Sequence, residues 1–248
     1  MRLYFILIFF FVFSSIKGQI LNIYDLDIKL NETSGLERIG DFFITHNDSG
    51  NQSAFFFLNM QGELINEIKF NQIENIDWED ITIDSKYIYI SDSGNNYDTR
   101  KNLKILKFSL IDYKFIGEIN FSYPEQLEYK YNKESQFDAE GIISVNNNLM
   151  LFTKNRKKLN TQVYILPKDL GTFKANLIGE IDTNLIITGS DYDDISKTLV
   201  LSGTKDFKDY SILVYPDVSF NPLRVSEKKE IKIKLDKMQV EGVKFFSP

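Results

Sequence analysis

The chain has 248 residues, with 29 basic and 35 acidic residues, one histidine, no cysteine and a formal net charge of −6. The acidic balance argues against nucleic acid and anionic membranes as partners. A single histidine and no cysteine exclude the usual zinc sites, so a bound metal would need oxygen ligands, which calcium and magnesium prefer.

Residues 1–18 predict a cleavable signal peptide. Arg2 precedes an unbroken apolar run from Leu3 to Phe13, and small and polar residues follow. This run is shorter than the roughly 20 residues that span a bilayer. We therefore expect a mature chain of residues 19–248 that is secreted or periplasmic and forms one monomeric domain without membrane insertion.

Five similar segments indicate an internal repeat in the mature chain. They are TSGLERI from Thr33, WEDITI from Trp78, AEGIISV from Ala139, ITGSDYD from Ile187 and VEGVKF from Val240. A turn, a second apolar run and further strand-like stretches follow each of the first four. Four strands in about 45 residues is the size of a propeller blade. The sequence therefore predicts an all-β propeller with four-stranded blades, and a sandwich of regular hairpins is the alternative.

The blade count is four complete units and an incomplete fifth that begins at Val240. We expect a C-terminally shortened member of a family with six blades. Ring closure in propellers commonly pairs strands from the two termini, and residues 20–30 are the candidate for such an outer strand.

The tetrapeptide DSGN occurs twice, at residues 48–51 and 92–95, each time after an apolar run. Asp and Asn favour turns through side-chain to backbone hydrogen bonds, and glycine supplies a positive φ. Folding each unit about its first turn sets Glu79 opposite Asp92 and the first DSGN turn beside Ser34. Because the innermost strands of all blades surround one channel, we expect these side chains to meet at one mouth.

Carboxylates at a channel mouth are costly unless they are hydrated, paired or bound to a cation. The candidate metal ligands, with calcium as the candidate ion, are Asp48, Glu79, Asp92, Glu140 and Glu241. Two alternatives stay open at this point: the DSGN residues only form turns, or Glu140 and Glu241 bond to backbone amides of the neighbouring blade.

Three further residues are weak catalytic candidates. His46 is the only histidine and precedes Asp48 by two residues, which suits a general base or a turn-capping residue. Lys154 and Arg156 lie in a basic stretch that is a solvated loop or an anion-binding segment. The sequence contains no serine hydrolase, nucleotide or dinucleotide fingerprint, so we expect no nucleotide cofactor.

The segments SGLERIGDFFITHNDSGN, DWEDITID, YISDSGNN, FDAEGI and LMLFTKNR resemble a group of uncharacterised secreted bacterial propeller proteins. More loosely, they resemble SdiA-regulated, esterase-like phytase and gluconolactonase-type propellers. The last resemblance implies a divalent cation in the central channel. We therefore expect an exported propeller that binds a ligand or partner at an acidic mouth. A calcium-dependent hydrolase of a phosphoester or lactone and a structural protein-interaction module are the alternatives.

Overall fold

The computed structural model describes residues 22–233 and 239–245, so the predicted signal peptide lies outside the described residues. Strands dominate this part of the chain, and its one helical element is a 3-10 turn at Ile28–Leu30. The described residues contain no helix that is long and apolar enough to cross a membrane.

Four blades, each with four antiparallel strands, follow one another along the chain. Blade 1 contains β1 (Thr33–Ile39), β2 (Phe42–Asn47), β3 (Ala54–Leu58) and β4 (Leu64–Lys69). Blade 2 contains β5 (Trp78–Ile83), β6 (Tyr87–Asp92), β7 (Leu103–Ser109) and β8 (Phe115–Ser122). Their sequences are rich in β-branched and aromatic residues, which pack well on a pleated surface.

The two remaining blades carry additions to the basic pattern. Blade 3 contains β9 (Ala139–Val145), β10 (Asn148–Thr153), β11 (Thr161–Pro167) and β13 (Asn176–Ile181). Blade 4 contains β14 (Ile186–Asp193), β15 (Thr198–Thr204), β16 (Tyr210–Tyr215) and β19 (Lys229–Ile233). The additions are β12 (Gly171–Lys174), which pairs in parallel with β8 of blade 2, and a hairpin of β17 (Ser219–Phe220) and β18 (Leu223–Arg224).

The sheets are arranged as a β-propeller, as the repeat predicts. The first strands of the blades lie side by side around the centre, with β1 beside β5, β5 beside β9 and β9 beside β14. Apolar cores fill the spaces between blades 1 and 2, between blades 2 and 3 and between blades 3 and 4. The arrangement excludes the alternative of a sandwich.

Residues 239–245 form no assigned strand and lie between β14 and β1. Thr188 Oγ1 of β14 donates a hydrogen bond to the carbonyl of Val240 at 2.6 Å. Lys244 Nζ lies 2.5 Å from Glu37 of β1 and 2.8 Å from Asp191 of β14. This segment therefore connects the last complete blade to the first.

The expectation of an outer strand at residues 20–30 is wrong for the described part of that segment. Residues 22–27 form no strand, and the 3-10 turn follows them. The side chain of Asp27 accepts a hydrogen bond from the amide of Lys29 and so caps this turn, and Leu30 is buried beside β3. The cap and the buried leucine together favour a turn over an extended chain.

A β-bulge interrupts the first hairpin of blade 2. Trp78 pairs with Asp92. The next pair is Asp80 with Ser91, so Glu79 has no partner across the ladder. The predicted pairing of Glu79 with Asp92 is therefore wrong by one residue. The predicted turn is correct, and the error arises at the inserted residue.

The same one-residue bulge recurs in blades 3 and 4. Glu140 in blade 3 and Thr188 in blade 4 are skipped in the same way. Blade 1 differs, because its aligned residue Ser34 pairs with His46 and the register shift falls after it, between Ser34 and Glu37. A bulge leaves one residue unpaired and turns its side chain away from the regular alternation. In blades 2 to 4 the bulge therefore sets the direction in which the aligned residues Glu79, Glu140 and Thr188 are presented.

Candidate functional site

Carboxylates from three blades meet where the inner strands β5 and β9 begin, and we call this region the channel mouth. Asp48, which follows β2, lies with Asp77 and Glu79 of blade 2, and one oxygen of each is within 4.8 Å of the others. Glu79 also belongs to a second group, with Asp138 and Glu140 of blade 3, to which the same distance limit applies. The structure thus brings together three of the predicted site residues, Asp48, Glu79 and Glu140.

Burial and mutual repulsion make these carboxylates hard to ionise. Burial, reinforced by Asp138 and Asp48, raises the pKa of Asp77 to about 6. Burial raises the pKa of Glu79 well above its ordinary value, and Glu140 and Asp138 add to the rise. The pKa of Asp48 is also raised, mainly by burial. A positive charge at this mouth would therefore relieve an existing electrostatic cost.

The glycines of the two DSGN segments have different roles. Gly50 has a φ of +75°, and a Cβ added to it would have no neighbouring atom within 4 Å, so it serves an open turn. The φ of Gly94 does not lie in the positive region. A Cβ on Gly94 would collide with the carboxylates of Glu79 and Asp77. The expected positive φ is therefore correct for Gly50 and wrong for Gly94, which instead leaves room for two acidic side chains.

Lys154 neutralises the blade 3 side of the mouth. Its ammonium group forms an ion pair with Glu140 and lies 3.7 Å from Asp138. Burial lowers the pKa of Lys154, but Glu140, Asp138 and Glu79 more than offset this effect and raise it. Only 6% of Lys154 is exposed. Lys154 is therefore already paired inside the protein, which differs from the predicted role in anion binding.

Arg156 lies at the edge of the same cluster. Its guanidinium group is 3.4 Å from Asp138 and donates a hydrogen bond to Asn96 Oδ1 at 2.5 Å. The side chain is 21% exposed. Unlike Lys154, Arg156 therefore presents part of its charge to solvent.

Asp92 is not a member of either carboxylate group among the described residues. It is fully buried, and its Oδ1 accepts a hydrogen bond from Arg100 at 2.8 Å. Burial raises the pKa of Asp92, whereas Arg100 opposes the rise. Asp92, a candidate metal ligand, therefore binds Arg100. The carboxylate that lies beside Glu79, where Asp92 is expected, is Asp77.

Glu241 approaches the mouth from the segment at the fifth position. Burial raises its pKa to about 7, and the nearby charge of Asp48 contributes to the rise while Lys154 opposes it. Glu241 therefore adds negative charge on the Asp48 side of the mouth.

Hydroxyl groups at the aligned repeat position connect neighbouring blades. Ser34 Oγ donates to the carbonyl of Glu79 at 2.5 Å, from blade 1 to blade 2. Thr188 forms the equivalent bond from blade 4 to Val240. The sequence suggests that Glu140 and Glu241 could connect neighbouring blades. In blades 1 and 4, Ser34 and Thr188 take the place of glutamate in the repeat and make such a connection.

Asp80 adds a second connection at the centre of the ring. Its Oδ2 accepts hydrogen bonds from the amide of Ile142 in blade 3 at 3.0 Å and from the amide and hydroxyl of Ser190 in blade 4. The aspartate is fully buried and belongs to blade 2. One carboxylate therefore joins three blades, and its role is structural.

His46 lies beneath the mouth. It is completely buried, and its ring meets the edge of Trp78 at a centroid distance of 5.6 Å. Burial lowers the pKa of His46 to about 4, so the ring is uncharged at neutral pH. Lack of access to solvent argues against the predicted role as a general base.

Asp77 and Asp138 are the site residues that the repeat analysis misses. Each stands two positions before the aligned glutamate of its unit, in DWE and DAE. The pattern Asp-x-Glu, present only in the units whose glutamates meet, is the signal that could have found them.

No family model and no curated protein matches the sequence. Among solved structures, the chain is similar to a quinonprotein alcohol dehydrogenase-like protein from Bacteroides thetaiotaomicron, with 12% identity, a TM-score of 0.43 and coverage of 79% of this chain and 45% of that one. It is also similar to a chain of the mitotic checkpoint complex, with 10% identity, a TM-score of 0.41 and coverage of 85% and 67%. The chain thus spans less than half the length of the first. Both likenesses are distant, and the propeller assignment rests on the strand arrangement of this chain.

Proposed function

We propose that the protein is an exported propeller that binds a ligand at its acidic channel mouth with the help of a divalent cation. Calcium is the best candidate, and Asp48, Asp77 and Glu79 are its proposed ligands. The observation that carries the proposal is the convergence of these three carboxylates from two blades. Oxygens on opposite sides of a calcium ion lie about 4.8 Å apart, since each is bonded at about 2.4 Å.

The distribution of positive charge favours this group over the second one. The ammonium of Lys154 already contacts Glu140 and lies close to Asp138. Asp77 has Arg100 at 3.9 Å, beyond hydrogen-bonding distance. The Asp48–Asp77–Glu79 group therefore has more negative charge left to balance.

Gly94 supports the proposal on steric grounds. A side chain there would fill the space in which the carboxylates of Asp77 and Glu79 lie. Ionised carboxylates held this close repel each other unless a cation lies between them. Holding Asp77 and Glu79 together therefore lowers the stability of the fold unless the group binds a cation.

Thermal unfolding with and without calcium tests the proposal. A ligand at one hundred times its dissociation constant adds about 2.7 kcal/mol of stability, and this raises the Tm of a chain of this size by roughly 5–10 °C. We expect this rise in the wild type and its loss in Asp77→Asn. Glu180→Gln, an exposed acid of blade 3, is the matched control and should retain the rise. An unchanged wild-type Tm in millimolar calcium would refute the cation site.

The same variants distinguish a binding protein from the alternative, a calcium-dependent hydrolase. Purified protein is incubated with generic lactone and phosphoester substrates in calcium. Turnover that Asp77→Asn abolishes and Glu180→Gln retains would establish the hydrolase, whereas calcium binding without turnover supports the binding protein.

A further inference from the structure

Two tyrosines stack on each other at the surface beside the mouth. The ring centroids of Tyr97 and Tyr131 are 4.7 Å apart with an angle of 22° between the planes. Tyr97 is 49% exposed and Tyr131 is 62% exposed. Large aromatic rings usually gain more from burial than from exposure. In a stacked pair each ring covers one face of the other, so the outer face of a ring is what remains for another ring to stack on.

A buried aspartate holds the two loops that carry these rings. Asp98 lies next to Tyr97 and is 4% exposed. Its carboxylate accepts hydrogen bonds from Ser135 Oγ at 2.6 Å and from Asn132 Nδ2 at 2.7 Å. The backbone N–H of Asn132 also donates a hydrogen bond to the backbone carbonyl of Tyr97 at 3.0 Å. The ring platform is therefore fixed by bonds between its two loops before any ligand arrives.

The tyrosines border a hollow of about 430 Å³ that also contains positive charge. Asn96, Lys133 and Arg156 form the rest of its lining. Arg156 is oriented by its hydrogen bond to Asn96, and Lys133 is exposed. In a chain with a net charge of −6, two cations beside an aromatic platform favour an anionic ligand.

We propose that this hollow binds a ring compound that carries a carboxylate, with the ring against an outer face of the Tyr97–Tyr131 stack and the carboxylate at Arg156 and Lys133. A pyranose face and an aromatic face both stack on tyrosine, so a sugar acid and an aromatic acid share the required chemistry. The inference rests on the proposed function, since Arg156 also contacts Asp138 of the carboxylate cluster. The inference specifies the chemical class of the ligand that binds at the channel mouth.

Calorimetric titration of the full chain tests the inference with two acids and their uncharged counterparts. The probes are glucuronate with glucose and 4-hydroxybenzoate with phenol, and the acid that binds more tightly identifies the ring type. We expect one acid to bind at least about tenfold more tightly than its neutral counterpart. Arg156→Gln should remove this preference, and Tyr131→Ala should weaken binding at least about fivefold.

Tyr24→Ala is the matched control, because Tyr24 is 48% exposed and lies near Gly62, at the outer part of blade 1. It should leave binding unchanged. The inference is overturned if neither acid binds better than its neutral counterpart, or if Tyr24→Ala weakens binding as much as Tyr131→Ala. Titrations in EDTA separate this inference from the cation site. If neither acid is preferred but calcium still raises the Tm, the ligand proposed for the hollow is refuted and the cation site stands. If an acid is preferred but calcium leaves the Tm unchanged, the cation site is refuted and the hollow stands.

Discussion

The two sides of the channel mouth contain the same kind of carboxylate pair in different electrostatic settings. On the blade 3 side, Asp138 and Glu140 have Lys154 beside them. On the blade 2 side, Asp77 and Glu79 lie with Asp48 beside Gly94, and the counter-charge there is Arg100, which is 3.9 Å from Asp77. The comparison shows that the carboxylates of blade 3 are neutralised by a lysine of their own blade, whereas those of blade 2 leave space in which a cation from solvent could bind.

The largest expected effect comes from removing the internal counter-charge. Lys154→Met would leave Glu140 and Asp138 buried without their ammonium partner, and breaking a buried ion pair in this way costs about 3–5 kcal/mol. Urea unfolding would measure the loss. Lys157→Met is the control, because its pair with Glu134 is exposed and should contribute less than about 1 kcal/mol. Equal stability of the two variants would show that Lys154 does not balance the cluster.

A smaller effect is expected when the space on the blade 2 side is filled. Gly94→Ala would push apart Asp77 and Glu79, and overpacking of this kind costs about 1–3 kcal/mol. The variant should also lose the rise of Tm in calcium. Gly50→Ala should cost about 1 kcal/mol through backbone strain at its positive φ, without a steric conflict, so its calcium response should persist. A normal calcium response in Gly94→Ala would contradict the assigned site.

The smallest effect is a pH dependence of stability. The pKa of Glu241 is raised to about 7 and that of Glu79 is raised well above its ordinary value, so the folded state binds more protons than the unfolded state at neutral pH. Stability should therefore fall as pH rises from about 6.5 to 8. His46 opposes this trend only at the lower end of the window, because its folded pKa is about 4 while an unfolded histidine, with an ordinary pKa of 6.5, is still half protonated at pH 6.5.

Urea unfolding across this window measures the trend, with and without calcium. Calcium should make the decline shallower, because it stabilises the ionised carboxylates. Glu79→Gln should also have a shallower decline than the wild type. A stability that rises with pH in the absence of calcium would show that the carboxylates are not held in a repulsive cluster.

Much of the fold follows from the sequence, because the first segment of each unit repeats with one turn and one apolar run after it. The site follows only in part. A bulge such as the one at Glu79 cannot be recognised from the pattern of apolar residues. Regular hairpin pairing therefore predicts Asp92 beside Glu79, whereas the structure has Asp77 there. Hairpin spacing brings Lys154 near Glu140, but the burial of both charged side chains depends on the blades around them, and neither residue type nor spacing specifies it. The different uses of Gly50 and Gly94 likewise arise from their surroundings, since the DSGN letters are identical.

Calorimetric titration of calcium into the wild type, Asp77→Asn and Asp138→Asn tests the central claim most directly. The account predicts one calcium ion per chain in the wild type, no binding in Asp77→Asn and retained binding in Asp138→Asn. Equal binding by Asp77→Asn and the wild type would contradict it, as would a loss of binding confined to Asp138→Asn.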